Sequence, residues 1–230
     1  IMEGGYLFYL DETGQHGLVA SMEDLTDGAT DYGDYGYNGY PWGCMDIYIG
    51  ADLTSIGTGQ QNTLDIVEGC SEAPIAAGEA LAYENEGYSD WYLPSKDELL
   101  EMYNNIGQGY YDSNIGGFDN ARYWSSSENN ESGSWFVYFV NGGSIPMIKL
   151  STNKVRPIRA FGNWTMGCMD SLACNYNSEA NMADTSCEYP EQGYDCDGLT
   201  LITQENIYQA VDAWLEDSVS TEAIYGHISD

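Results

Sequence analysis

The chain has 230 residues, enough for one or two domains with a real core, and its 37 acidic against 6 basic residues give a net charge of −31. Nucleic acid and anionic membrane both need a basic footprint, so they are poor partners for this surface, and no nucleic acid is expected. It suits a protein in salty water, where screening over ~8 Å or less limits self-repulsion. No run approaches the ~20 apolar residues of a membrane span, so no membrane insertion is expected. Ile1 is not a natural start, and the chain reads as a stretch of a longer protein. Residues 1–162 hold 24 acids and all 6 bases, a net −18, and residues 163–230 hold 13 acids and no base. The 6 cysteines, an even count in a Tyr-, Asn- and Gly-rich chain, point to disulfides and an oxidising compartment.

In chain order, Tyr6 to Leu10 and Gly17 to Ala20 flank Asp11-Glu12-Thr13-Gly14-Gln15, the pattern of a β-hairpin. His16 at its exit reads as a strand-end hydrogen-bonding residue rather than a base, because no serine or cysteine motif accompanies it. A long Gly-, Tyr- and Asp-rich loop follows from Met22 to Gly43. Its Tyr32, Tyr35, Tyr37, Tyr40 and Trp42 suit stacking on sugar rings, and Asp27, Asp31 and Asp34 suit a hard cation. An insertion packed on its own aromatics explains the loop as well.

Helices are predicted over 60–68, with Thr58 as cap, and over 73–84. A third, from Lys96 to about Asn105, opens on the capping box Ser95-Lys96-Asp97-Glu98 and turns Leu99, Leu100 and Tyr103 to the core. A Cys44–Cys70 bridge would tie the end of the long loop to the first helix. A glycine-rich loop over 107–120 then leads to three or four consecutive strands of one antiparallel sheet. These are Tyr123 to Ser127, Trp135 to Val140, Ile145 to Leu150 after the turn Asn141-Gly142-Gly143, and Lys154 to Ala160. Pro157 argues for an edge position or strand end in the last of these.

The motifs YWSSSE (123–128), VRPIRAF (155–161) and DWYLPSKDEL (90–99), with the opening GGYLFYLDETGQHGLVA (4–20), together resemble the C-terminal domain of the Legionella-type collagen-like adhesins. The resemblance implies a C-type-lectin-like α+β fold with an antiparallel sheet and two or three helices over about 4–161. It also implies an adhesin-like role. In lectins of this fold the region around Trp124, Glu128, Asn129, Asn130, Trp135 and Asn141 carries the ligand, so Trp124, Glu128, Asn130, Trp135 and Asn141 are the expected ligand-binding residues. Neither the E-P-N nor the W-N-D triplet of calcium-dependent lectins occurs here. The Legionella-type relatives imply sulfated polysaccharide as ligand, for which only Lys149, Lys154, Arg156 and Arg159 offer a basic face; structural ion pairs within the sheet are the preferred reading of these four.

Residues 163–198 contain four cysteines within 29 positions and hardly an aliphatic side chain, so staples or metal must hold them. Spacing alone allows three pairings. The segment resembles a small Cys-rich module of secreted marine bacterial proteins, and that resemblance implies Cys168–Cys187 and with it Cys174–Cys196. Asp170, Asn175, Asn177 and Asp184, with Asp195 and Asp197 nearby, offer hard oxygen ligands for calcium; Asx turns account for the same composition. From Leu201 to Asp230, Thr203 as cap and the stripe Ile207, Ala210, Val211, Trp214, Leu215 predict an amphipathic helix. That end resembles the lead-in helix of Bacteroides-type surface proteins with leucine-rich-like repeats.

The domain expectation is therefore 1–162 lectin-like, 163–198 Cys-rich and 199–230 helical. No G-x-S-x-G, P-loop, G-x-G-x-x-G or H-E-x-x-H occurs, so no enzyme is expected. The lectin-like fold includes formylglycine-generating oxidases, but these need a cysteine pair in the C-terminal half, whereas Cys44 and Cys70 lie in the first. The expected role is adhesion at a cell or virion surface or outside the cell, with a glycan or surface protein as partner and homo-oligomer or fibre neighbours. The competing class is a purely structural fibre subunit with no soluble ligand.

Overall fold

The structure, a computed structural model, describes residues 1–26, 38–109, 113–162, 164–168, 170–180, 182–183, 186–203 and 206–225. Asp27, Asp31, Asp34, Tyr32, Tyr35, Tyr37 and Asp184 of the expectations above lie outside these residues. The chain divides into two compact units, Ile1–Trp164 and Thr165–Asp230. It is mixed α+β, with antiparallel sheets and five helices among the described residues.

In the first unit β1 (Tyr6–Leu10) and β2 (Gly17–Ala20) form the hairpin that the alternation predicts. Three helices follow, α1 (Gly59–Gly69), α2 (Ala76–Ala82) and α3 (Lys96–Ile106). The capping box of α3 closes in both directions: Ser95 Oγ accepts from the Glu98 amide, and Glu98 accepts from the Ser95 amide. Leu99, Met102 and Ile106 form its buried face. Thr58 stands at the N-terminus of α1 without capping it, since its hydroxyl donates to the Ser55 carbonyl. Gly59 is there because a Cβ would sit 2.2 Å from Glu98 Oε2, so only glycine lets the start of α1 approach that of α3.

The meander β4 (Arg122–Asn130), β5 (Gly133–Tyr138) and β6 (Gly143–Ile148) then makes a three-stranded antiparallel sheet in that order. Successive side chains point to opposite faces, and both faces of the β4–β5 ribbon are covered. Trp124 and Phe136 enter one core cluster with Trp42, Ile66 and Leu93. Tyr123 and Val137 enter the other with Leu18, Leu99, Met102 and Phe139. A short pair joins β3 (Tyr40–Pro41) to β7 (Thr152–Asn153).

The expected fourth strand does not continue the meander. It is β8 (Ile158–Phe161), which crosses to pair antiparallel with β2, giving a second sheet of order β1-β2-β8. Pro157 just before it suits that departure, because proline cannot donate to a ladder. Its carbonyl still receives the Ser21 amide. The Cys44–Cys70 bridge ties the chain ahead of α1 to the end of that helix.

The second unit contains a parallel pair, β9 (Met166–Gly167) with β10 (Met182–Ala183), and two bridges, Cys168–Cys187 and Cys174–Cys196. Its expected single helix is two, α4 (Ile207–Glu216) and α5 (Ser218–Tyr225). The chain is extended at Asp217, whose carboxylate accepts from the Ser220 amide and hydroxyl and so starts α5 anew. Of the predicted stripe only Ala210 is buried.

Candidate functional site

The six basic residues decide what the first unit can bind. Lys149 and Glu128 form an ion pair in which both side chains are fully buried. The Lys149 ammonium also donates to the Ile47 carbonyl and lies 4.7 Å from the centre of the Trp42 ring. Arg156 meets Asp24 at 2.7 Å, donates to the Ser21 and Gly116 carbonyls and stacks over Phe118. Arg159 grips both oxygens of Asp90, at 2.7 and 2.8 Å, reaches Glu3 and covers Tyr88. Its hydrogen bonds hold the Asp90 carboxyl below the usual carboxylate range, against the opposing effect of burial. Lys154 bridges Asp24 and Asp119. Lys96 pairs with Asp97 over the Trp135 ring, and Arg122 lies over Phe136 and against the Met147 sulfur. The expectation of ion pairs is met at Lys149, Lys154, Arg156 and Arg159. Their donors are engaged with carboxylates and carbonyls of the same unit.

The expected ligand-binding residues divide. Trp124 is fully buried and its indole donates to the Tyr40 carbonyl at 2.9 Å. Glu128 is also buried and accepts the amides of Ile49 and Gly50 besides Lys149. A ligand reaches neither, because each has its partners inside the unit. Asn130 and Asn141 stay exposed and shape turns, their Oδ1 atoms accepting from the Ser132 and Gly143 amides. They stand at opposite ends of the six-residue strand β5, about 20 Å apart at the usual rise per residue. They therefore do not share a site. Trp135 is half-buried, with Lys96 on its ring.

Around Asn130 and Trp135 the structure adds residues that the sequence analysis passed over. Ile145 and Ile148 of the edge strand β6 are exposed at 61% and 55%, and Pro146 stands opposite Trp135. Asn129, Asn130, Ser132 and Gly133 rim a shallow depression floored by Pro146, Met147 and Ile148. The Ser132 hydroxyl is tied to Asp46, whereas the Asn129 amide has no hydrogen-bond partner among the described residues. The signal was present: the 17 residues from Ser132 to Ile148 carry no charge, in a chain of net charge −31. The lining of the depression offers apolar contact and amide hydrogen bonds, with Glu131 in the adjoining turn and Asp46 on the Ser132 hydroxyl as the neighbouring charges.

In the second unit three of the four expected calcium ligands, Asp170, Asn175 and Asn177, make hydrogen bonds within the unit. Asp170 accepts from the Leu172 amide and, at 2.7 Å, from the Tyr189 hydroxyl. Asn175 accepts from the Glu188 amide and donates to the Ser186 carbonyl, and Asn177 accepts from the Glu179 amide. These are Asx-turn and strap contacts. Among the described residues the one close group of acid, histidine or cysteine ligand atoms is Cys44, Cys70 and Glu72, and its two sulfurs are joined to each other. In the first unit His16 sits at the hairpin exit with Nδ1 2.7 Å from Asp11, its ring tilted against Trp164.

No curated protein matches this chain. Residues 47–159 match the family model of the Lcl C-terminal domain, and over that stretch, from ahead of α1 into β8, the chain is similar to that adhesin-like family.

Proposed function

We propose that the chain is part of an adhesin-like protein displayed outside the cell, and that its first unit is a lectin-like domain whose ligand is an uncharged glycan. Three disulfides and the match to the Lcl C-terminal domain support the extracellular setting. The observation that carries the ligand class is the distribution of charge. The bases are engaged within the fold, while the depression between Asn129, Asn130 and Pro146 is uncharged and open. Amides beside an apolar floor and a half-exposed Trp135 match the hydroxyls and apolar ring faces of a neutral sugar.

A glycan array probed with the whole chain tests this. Retention of neutral glycans, lost in Asn129→Ala/Asn130→Ala, is expected. Retention of sulfated glycans alone would show that the charge argument is wrong. A blank array would favour the competing class, a structural part of a surface fibre.

A further inference from the structure

Helix α4 presents an apolar face to solvent. Ile207, Val211 and Leu215 recur at i, i+4 and i+8, and Tyr208 falls beside Leu215 on the helical wheel. At about 100° per residue these four span an arc of roughly 100°. They are exposed at 43%, 45%, 81% and 81% respectively. On the Ile207 side of the arc the next positions round the helix are Trp214, half-buried, and then Ala210, the buried residue of the helix. Continuing round from Tyr208, the next positions are Asp212 and Glu216, so one flank of the stripe is acidic. An exposed apolar stripe of this kind marks an interaction surface.

Charge restricts what covers it. The segment from Thr165 to Asp230 holds 13 acids and no base, so a second copy would bring carboxylates against carboxylates. A helix that lies on a membrane carries Lys and Arg on its polar face, and α4 has neither. We infer that the Ile207–Tyr208–Val211–Leu215 face of α4 docks a protein partner of complementary build: an apolar helix or groove flanked by Lys and Arg. Its apolar centre takes the stripe, and its bases meet Asp212 and Glu216 at the rim. This goes beyond the glycan reading and involves the other unit.

Synthetic peptides of about 18 residues, five helical turns, serve as probes. One carries Leu on one face and Lys on the rest, the second has the same composition scrambled, and the third has Glu in place of Lys. Each is titrated into the whole chain at physiological salt. The Leu/Lys amphipathic peptide is expected to bind at least about tenfold tighter than the scrambled one, a factor that one reads directly from Kd. The Leu/Glu peptide should not bind. Val211→Asp/Leu215→Asp should bring the amphipathic peptide to the level of the scrambled one, with Ile145→Asp in the first unit leaving it unchanged. Circular dichroism checks the helix, and Tyr208→Asp replaces the double variant if helicity falls. Equal affinity for amphipathic and scrambled peptides would reduce the surface to an acidic one and overturn the inference. So would a dimer of the chain alone that Val211→Asp dissolves, or binding to neutral phosphatidylcholine vesicles.

Discussion

Lys149→Met is the most informative perturbation of the first unit. It keeps the length of the side chain and its contact with Trp42 but leaves the Glu128 carboxylate inside the protein without its cation. Both partners are fully buried, so the pair is not a surface salt bridge contributing about 0–1 kcal/mol. Breaking a buried pair by removing one partner costs about 3–5 kcal/mol, because the remaining charge keeps its desolvation penalty. The Ile49 and Gly50 amides still satisfy Glu128, which places the expected loss near the lower figure. For a domain of this size that lowers Tm by roughly 10 °C.

The assay is calorimetry and urea denaturation of wild type, Lys149→Met, Glu128→Leu and the double variant. The double variant removes both charges, so its loss should fall well short of the sum of the singles. The loss in Lys149→Met should also be the same at low and high salt, since a buried pair is little screened. A loss below about 1 kcal/mol, or one that disappears in salt, would refute the burial of this pair and with it the claim that the bases are unavailable to ligands.

Two further predictions follow from groups with fixed partners. Burial pushes the Glu98 carboxyl up to about 7, against hydrogen bonds from the Ser95 and Gly57 amides. The folded state therefore holds a proton that the unfolded chain releases near pH 4.5, and stability of the first unit should fall, by about 3 kcal/mol at most, as pH rises from there to 7. Glu98→Gln should flatten that slope in urea titrations at several pH values, and an unchanged slope would assign it to other groups. In the second unit, where Asp170, Asn175 and Asn177 are engaged in turns, reduction of Cys168–Cys187 and Cys174–Cys196 should abolish its melting transition. A chelator should leave the same transition in place, and a marked downward shift on chelation would restore calcium as a structural ligand.

What the sequence disclosed was local. The β1–β2 hairpin and the capped start of α3 follow from signals within a few residues: glycine in the turn, Ser95 and Glu98 three apart, apolar residues at the helical period. What it hid depends on distant partners. Trp124 and Glu128 were expected to bind ligand because the corresponding region does so in the lectins that this stretch resembles. Their actual partners, Tyr40 and Ile49, lie 84 and 79 residues away in sequence. The same holds for β8, whose alternation resembles that of its predecessors although it pairs with β2, far earlier in the chain. In the second unit the stripe predicted an amphipathic helix, but periodicity does not reveal whether anything covers its apolar face.

The placement of charge links these observations. A chain with six bases and 37 acids cannot neutralise its surface, and the structure does not use the bases for that purpose. It draws Lys149, Arg156 and Arg159 into the first unit, where they fasten Glu128, Asp24 and Asp90 across segments far apart in sequence. Each base is thereby a structural tie, and its loss would register as instability before it registered as lost binding. With 37 acids against six bases the chain repels anions, so recognition falls to surfaces without charge or with an apolar stripe beside acids. The β5–β6 end is of the first kind and α4 of the second. Their ligands should differ accordingly: an uncharged glycan needs no counter-charge at the site, whereas a partner on α4 must bring its own bases.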